Sequence, residues 1–257
     1  MFESCRDRHF LPPPPRQVAV SPRAGDARAM KDFVPRKFKI EVGSHGAVSA
    51  LLLRPREARA CFVFAHGAGV GMTHPSMETV AIGLAGRGIA TFRYQFPYME
   101  KGSKRPDPPA VAHATVRAAV AMAKESCDGF TLIAGGKSFG GRMTSQAQAK
   151  SPLQGVRALA FFGFPLHPQG QPSTERAAHL SQVHIPMLFL QGTNDGLALL
   201  DLLRPVIASL RPRATLHLLE GADHSFHVPK RSGRTDVEVM DEALNAFAAW
   251  VGRIDEV

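Results

Sequence analysis

Residues 130–143 read Phe-Thr-Leu-Ile-Ala-Gly-Gly-Lys-Ser-Phe-Gly-Gly-Arg-Met, and the reading of this stretch decides the fold. Thr131, Leu132, Ile133 and Ala134 form a short apolar run with β-branched members, which suits a strand buried on both faces of a parallel sheet. A turn follows at once, because Gly136-Lys137-Ser138-Phe139-Gly140 has the pattern G-x-S-x-G and Gly141 extends it. A serine forced into a tight strand-to-helix turn has a strained backbone, and small neighbours let the chain pass without a side-chain clash. That geometry lifts the Ser138 hydroxyl out of the turn.

A serine hydroxyl is a poor nucleophile alone; it needs a base, an acid to orient the base, and donors for a developing oxyanion. The chain on either side is therefore read for strand ends that can supply them. Upstream, 38–42 and 48–53 alternate around a Gly-containing turn and predict an antiparallel hairpin. The run Cys61-Phe62-Val63-Phe64-Ala65 predicts an inner strand, followed by a helix over 75–85, a strand over 89–92 and an alanine-rich helix over 110–124. Downstream, a helix reaches about 149, and strands at 158–162, 187–190 and 214–219 alternate with helices at 197–210 and 237–251. Alternating strands and helices after a hairpin describe one mostly parallel α/β sheet of about seven or eight strands with helices on both faces.

Ligands bind such sheets beyond the carboxyl ends of the strands, so the residues immediately after each strand carry the chemistry. After 187–190 comes Gln191-Gly192-Thr193-Asn194-Asp195, and after 214–219 comes Glu220-Gly221-Ala222-Asp223-His224. Ser138, Asp195 and His224 thus occur in the order nucleophile, acid, base, 57 and 29 positions apart. In this arrangement His224 takes the Ser138 proton and Asp195 holds the ring in the useful tautomer. The Phe139 backbone N–H, at a helix start, and that of Ala68, in His66-Gly67-Ala68-Gly69, are the expected oxyanion donors. Asp223 is a weaker candidate for the acid, because it adjoins His224 and points differently from the same loop.

These motifs resemble the α/β hydrolases, within them the dienelactone-hydrolase-like clan, and there the branch containing testis-expressed protein 30 and NSL complex subunit 3. The HGAG loop, Arg93-Tyr94-Gln95-Phe96-Pro97-Tyr98, the 135–143 elbow, Phe164-Pro165-Leu166-His167-Pro168 and the Asp195 and His224 loops carry the likeness over about 37–253. The resemblance implies a serine hydrolase acting on a small carboxylic ester or thioester, with no cofactor and no metal. The namesake hydrolases use cysteine where this chain has Ser138, a departure that favours ordinary ester chemistry over dienelactones. The branch also contains a chromatin-complex subunit, so the rival reading is a non-catalytic binding or interaction module on the same scaffold.

Other residues receive plainer readings. The Gly136-Lys137-Ser138 tripeptide is not the end of a phosphate loop, because the glycine required five positions before Gly136 is Thr131. Lys137 is read as either a charge near the site entrance or a solvated side chain beside it, the latter being favoured. Arg93, Tyr98, Met99 and Phe226 are expected at the substrate, Arg93 as a partner for an anionic acyl group and the others as apolar lining. His66 is read as a brace for its loop, and His74, His167, His179 and His227 as surface or bracing residues. The 24 residues between the strands ending at Phe162 and beginning at Met187 are too few for a large cap domain, which predicts an open site.

Composition limits the alternatives. Residues 1–39 hold nine Lys and Arg against four Asp and Glu, so five of the nine net positive charges lie near the front. No recognition fold accompanies that charge, which argues against nucleic acid as a partner. Residues 1–29, with four consecutive prolines and no apolar periodicity, predict a disordered extension ahead of a single domain over 30–257; Met30 is a candidate natural start. No run is long enough to span a membrane, and three scattered cysteines suit a reducing, cytoplasmic setting. The oligomeric state is left open.

Overall fold

The computed structural model describes residues 34–255. The expectations for residues 1–29 and for the starting methionine lie outside the described residues. Strands β1 (Arg36–Glu41) and β2 (Ala47–Leu53) pair antiparallel as the opening hairpin. Then follow β3 (Ala60–Ala65), α1 (Pro75–Ala85), β4 (Ile89–Tyr94), α2 (Pro97–Glu100), α3 (Pro109–Ser126), β5 (Thr131–Lys137) and α4 (Phe139–Lys150). The chain continues through β6 (Val156–Phe162), β7 (Met187–Gly192), α5 (Leu200–Ser209), β8 (Ala214–Leu219) and α6 (Asp236–Asp255).

The eight strands form one sheet in the order β1-β2-β4-β3-β5-β6-β7-β8. β1–β2 and β2–β4 are antiparallel, and every pair from β4 to β8 is parallel. Alternate strand residues feed two cores. Cys61, Val63 and Ala65 of β3 face a core completed by Val116 of α3, Met143 of α4 and Leu203 of α5. Phe62 and Phe64 face the other, with Val80 of α1 and Phe247 and Trp250 of α6. Burial on both faces is why the inner strands read as continuous apolar runs.

From β3 the chain winds outward through α1 to β4, then returns through α3 to β5 on the opposite side of β3. The loops leaving β3 and β5 therefore diverge at a topological switch point, where open α/β sheets place their ligands. The connection from β6 to β7 carries only a 3-10 segment, Glu175–Gln182, and among the described residues there is no cap domain. Among the described residues no helix is long and apolar enough to cross a membrane.

Two elements differ from the sequence-based expectation. β5 runs on through Gly135 and Gly136 to Lys137, because both glycines sit in the ladder opposite Ala160 and Phe161 of β6. The four-residue α2 arises in a proline-rich loop and has no propensity signal of its own. Its Glu100 carboxylate accepts hydrogen bonds from Lys39 Nζ (2.7 Å), Ser49 Oγ (2.8 Å) and Ser49 N–H (3.0 Å), so partners distant in sequence hold it.

Candidate active site

Sheet register determines which loops meet. Ala65 of β3 pairs with Gly136 of β5, so the HGAG loop and the serine elbow leave adjacent strands at the same height. The two are in backbone contact: a Cβ at Gly140 would stand 2.5 Å from the His66 carbonyl oxygen. On the other flank Gly192 of β7 pairs with Leu219 of β8. Beyond that pair Asn194 N–H donates to Ala222 O (2.9 Å), which ties the Asp195 loop to the His224 loop.

Ser138 occupies the turn with φ 50° and ψ −115°, a conformation that L-residues rarely adopt. Holding it costs about 1–3 kcal/mol, supplied by the surrounding packing. The Ser138 N–H donates to Phe162 O (3.2 Å), and the side chain turns toward the histidine. His224 Nε2 lies 2.8 Å from Ser138 Oγ, and His224 Nδ1 lies 2.7 Å from Asp195 Oδ2. The Asp195 side chain is fully buried. A buried carboxylate needs its lone pairs satisfied, and Asp195 also accepts from Leu197 N–H (2.8 Å) and from the Gln191 side-chain amide.

Asp223, the weaker candidate for the acid, points away from the imidazole. Its Oδ1 accepts from Ser225 N–H (2.7 Å) and His227 N–H (3.0 Å), shaping the loop that presents His224. Gln191 has no role assigned from the sequence. Its Oε1 accepts from Phe164 N–H (2.9 Å) while its amide N–H donates to Asp195, so it fixes the acid from below. Its place at the end of β7, four residues before Asp195, is the signal that marks it.

The HGAG loop is braced by its histidine. His66 is wholly buried, with Nδ1 2.9 Å from Gly67 O and Nε2 accepting from Phe96 N–H (3.1 Å). Burial pushes this imidazole down to about 4, so it is neutral with its proton on Nδ1. Among the described residues neither the Ala68 nor the Phe139 backbone N–H is spent on a hydrogen bond outside its own element. Ala68 is exposed on its loop, and Phe139 is the first residue of α4, where a helix leaves its N–H groups unpaired.

The residues expected at the substrate are placed differently. Arg93, Tyr98 and Phe226 are 2%, 3% and 2% exposed, and only Met99 is half-buried at the surface. Arg93 Nη1 donates to Met72 O (3.1 Å), so the guanidinium supports the loop after β3 instead of facing an acyl group. The Tyr98 ring packs against His66 and Phe139, and Phe226 against Phe162, which makes them the floor beneath the site. Lys137 is not a solvated side chain either. The residue is half-buried, and its ammonium donates to the His224 carbonyl oxygen and stands 4.4 Å from the centroid of the Phe226 ring. The reason is the extra length of β5, which puts Lys137 in an inner strand position opposite Phe162.

A second serine–histidine contact joins Ser145 Oγ to His179 Nε2 (2.7 Å). Ser145 sits inside regular helix and donates to Arg142 O (3.0 Å), and His179 has no carboxylate partner among the described residues. Burial, reinforced by Arg142, pushes His179 down to about 4. The contact braces α4 against the Glu175–Gln182 segment, in keeping with the bracing role expected of His179. Among the described residues no group of three His, Cys, Asp or Glu side chains is placed to hold a metal ion.

Fold and site together define an α/β-hydrolase scaffold with serine at the strand-to-helix turn. The family described as alpha/beta hydrolase domain matches residues 58–252, and the chain belongs to it. An α/β serine hydrolase homologue from Coxiella burnetii is similar at 21% identity, covering 82% of this chain and 96% of its own, with a TM-score of 0.66. A dienelactone hydrolase from Anabaena variabilis is similar at 21% identity over 85% of this chain and 96% of its own, TM-score 0.64. An α/β serine hydrolase without a lid from Xanthomonas campestris matches at 18% identity over 84% and 94%, TM-score 0.64.

Proposed function

We propose that the protein is a serine hydrolase that cleaves a small carboxylic ester or thioester through an acyl-enzyme on Ser138, in the cytoplasm and without a cofactor. The observation that supports this reading best is the continuous hydrogen-bonded line from Ser138 Oγ through both imidazole nitrogens of His224 to the buried Asp195. Ser138 Oγ attacks the carbonyl carbon while its proton passes to His224 Nε2, and Asp195 stabilises the resulting imidazolium. The Ala68 and Phe139 N–H groups receive the oxyanion, each contributing about 3–4 kcal/mol to the transition state. Collapse returns the proton from His224 to the departing alcohol or thiol. Water then attacks the acyl-enzyme with His224 again as base, and the carboxylic acid leaves.

Within the family, the motifs that resemble the branch of testis-expressed protein 30 and NSL complex subunit 3 make that branch our proposed placement. Similarity to a lidless hydrolase fits an open site for a small ester. The test is labelling by a fluorophosphonate probe, with turnover of p-nitrophenyl acetate alongside. Wild-type protein is expected to label and turn over, and Ser138→Ala to do neither. Folded wild-type protein that does not label, or a Ser138→Ala variant that labels equally, refutes the proposal and leaves the non-catalytic scaffold in its place.

A further inference from the structure

Lys137 immediately precedes the nucleophile, yet its ammonium reaches away from the elbow to the neighbouring histidine loop. It donates to the backbone carbonyl of His224 and lies over the Phe226 ring, 4.4 Å from its centroid. Phe226 itself is in the left-handed region, φ 69°, so the loop carries a strain that something must hold. The third wall is Gly163, just after β6. A Cβ there would stand 2.9 Å from Lys137 Nζ and 3.2 Å from the His224 carbonyl oxygen, so a side chain at 163 would intrude on this contact. Around the ammonium stand the Asp195 carboxylate from the loop after β7 and the Asp223 carboxylate and His224 from the loop after β8.

We infer that Lys137 is a positioning residue, which clamps the loop carrying the base onto the turn carrying the nucleophile and so holds His224 in line with Ser138. The inference rests on the serine-hydrolase reading above. One residue apart on the same turn, the nucleophile and the clamp move together, so a shift of the elbow carries the histidine loop with it. A cation suits the task because it forms a charge-assisted hydrogen bond to the carbonyl and is attracted to the ring face.

The clamp is sensitive to pH. Burial pushes the Lys137 ammonium down to about 8, with Asp195 and Asp223 opposing the fall. Below that pH the ammonium is charged and both contacts are at full strength. As pH rises through it the neutral amine can still donate an N–H, having two, but it loses the charge that strengthens the bond and the attraction to Phe226. Activity is accordingly expected to show an alkaline limb near pH 8.

The experiment measures the fluorophosphonate labelling rate and p-nitrophenyl acetate kcat from pH 6 to 10 for wild type, Lys137→Met and Lys137→Arg, with Ser138→Ala as blank. Wild type is expected to slow above pH 8. Lys137→Met is expected to label at least tenfold more slowly at pH 7 and to show no limb near pH 8. Lys137→Arg, charged throughout, keeps more activity than Lys137→Met and also loses the limb. A Lys137→Met variant with wild-type rate and an unchanged limb overturns the inference. If Lys137→Met fails to fold, a limb that persists in Lys137→Arg overturns it equally. Absence of labelling in wild type refutes the hydrolase reading itself and the clamp with it, an outcome distinct from either variant result.

Discussion

His224 Nε2 stands 2.8 Å from Ser138 Oγ although 86 positions of chain separate them. The contact exists because β5 and β8 end on the same edge of one sheet, with the Asp195 loop between them in space. On the far side of the ring Asp195 meets the imidazole at 2.7 Å, the one carboxylate among the described residues to do so.

Asp195→Asn is expected to lower kcat by about 10⁴-fold, because an amide favours the wrong imidazole tautomer while leaving the geometry intact. Asp223→Asn removes a carboxylate that bonds Ser225 and His227 backbone N–H groups and does not touch the ring. It is expected to cost about 1 kcal/mol of stability and no more than about tenfold in kcat. Steady-state kinetics on both variants check the pair; a larger kcat loss for Asp223→Asn reverses the assignment.

Gln191→Leu leaves the Phe164 N–H and one contact of a buried carboxylate unsatisfied. Urea unfolding is expected to show a loss of about 2–4 kcal/mol, the combined cost of stranding two buried polar groups. The kcat falls as well, because Asp195 loses the partner that aims it.

At the elbow, Gly140→Ala would drive a methyl into the His66 carbonyl at 2.5 Å and the Ala65 carbonyl carbon at 2.7 Å, backbone atoms that cannot swing aside. The expected outcome is a fall in stability of more than about 3 kcal/mol or failure to fold. Gly252→Ala is the counterpart: it lies exposed in α6 with nothing within 4 Å of the new methyl. There the change is expected to stabilise by about 0.5–1 kcal/mol through helix propensity. Thermal melts of the two variants give opposite signs.

His66 links stability to pH. Burial lowers its folded-state value to about 4, below the unfolded 6.5, so the unfolded chain takes up a proton first as pH falls. Stability is full above about 6.5 and declines on the way down toward 4. Between pH 7 and pH 5 the loss from this one group is about 2 kcal/mol. Denaturant titrations at the two pH values are expected to show it, and a His66→Asn variant, less stable at pH 7, loses less between them.

The inner strands, the helices and the three loops at the sheet edge were legible in the residues themselves. Unbroken apolar runs such as Cys61 to Ala65 and Leu132 to Ala134 can be satisfied only between two helical layers, so their pattern carries the fold. Less legible was what each polar side chain does at depth. Arg93, Tyr98 and Phe226 have residue types that suit a substrate, and in sequence nothing tells a residue on the floor of a site from one on its wall. α2 was silent because distant partners, Lys39 and Ser49, hold its Glu100.

Sequence alone determined the α/β order of elements, the serine in its glycine-bounded turn, and an acid and a histidine at later strand ends. Local pattern and chain order encode these, since burial of a strand or sharpness of a turn constrains the residues within it. Tertiary structure alone decided which carboxylate meets His224, that Gln191 holds that carboxylate, and that Lys137 turns inward to the His224 carbonyl. Those are matters of direction across loops from different strands. Sheet register and the final path of each loop set them, and no local run of residues contains either.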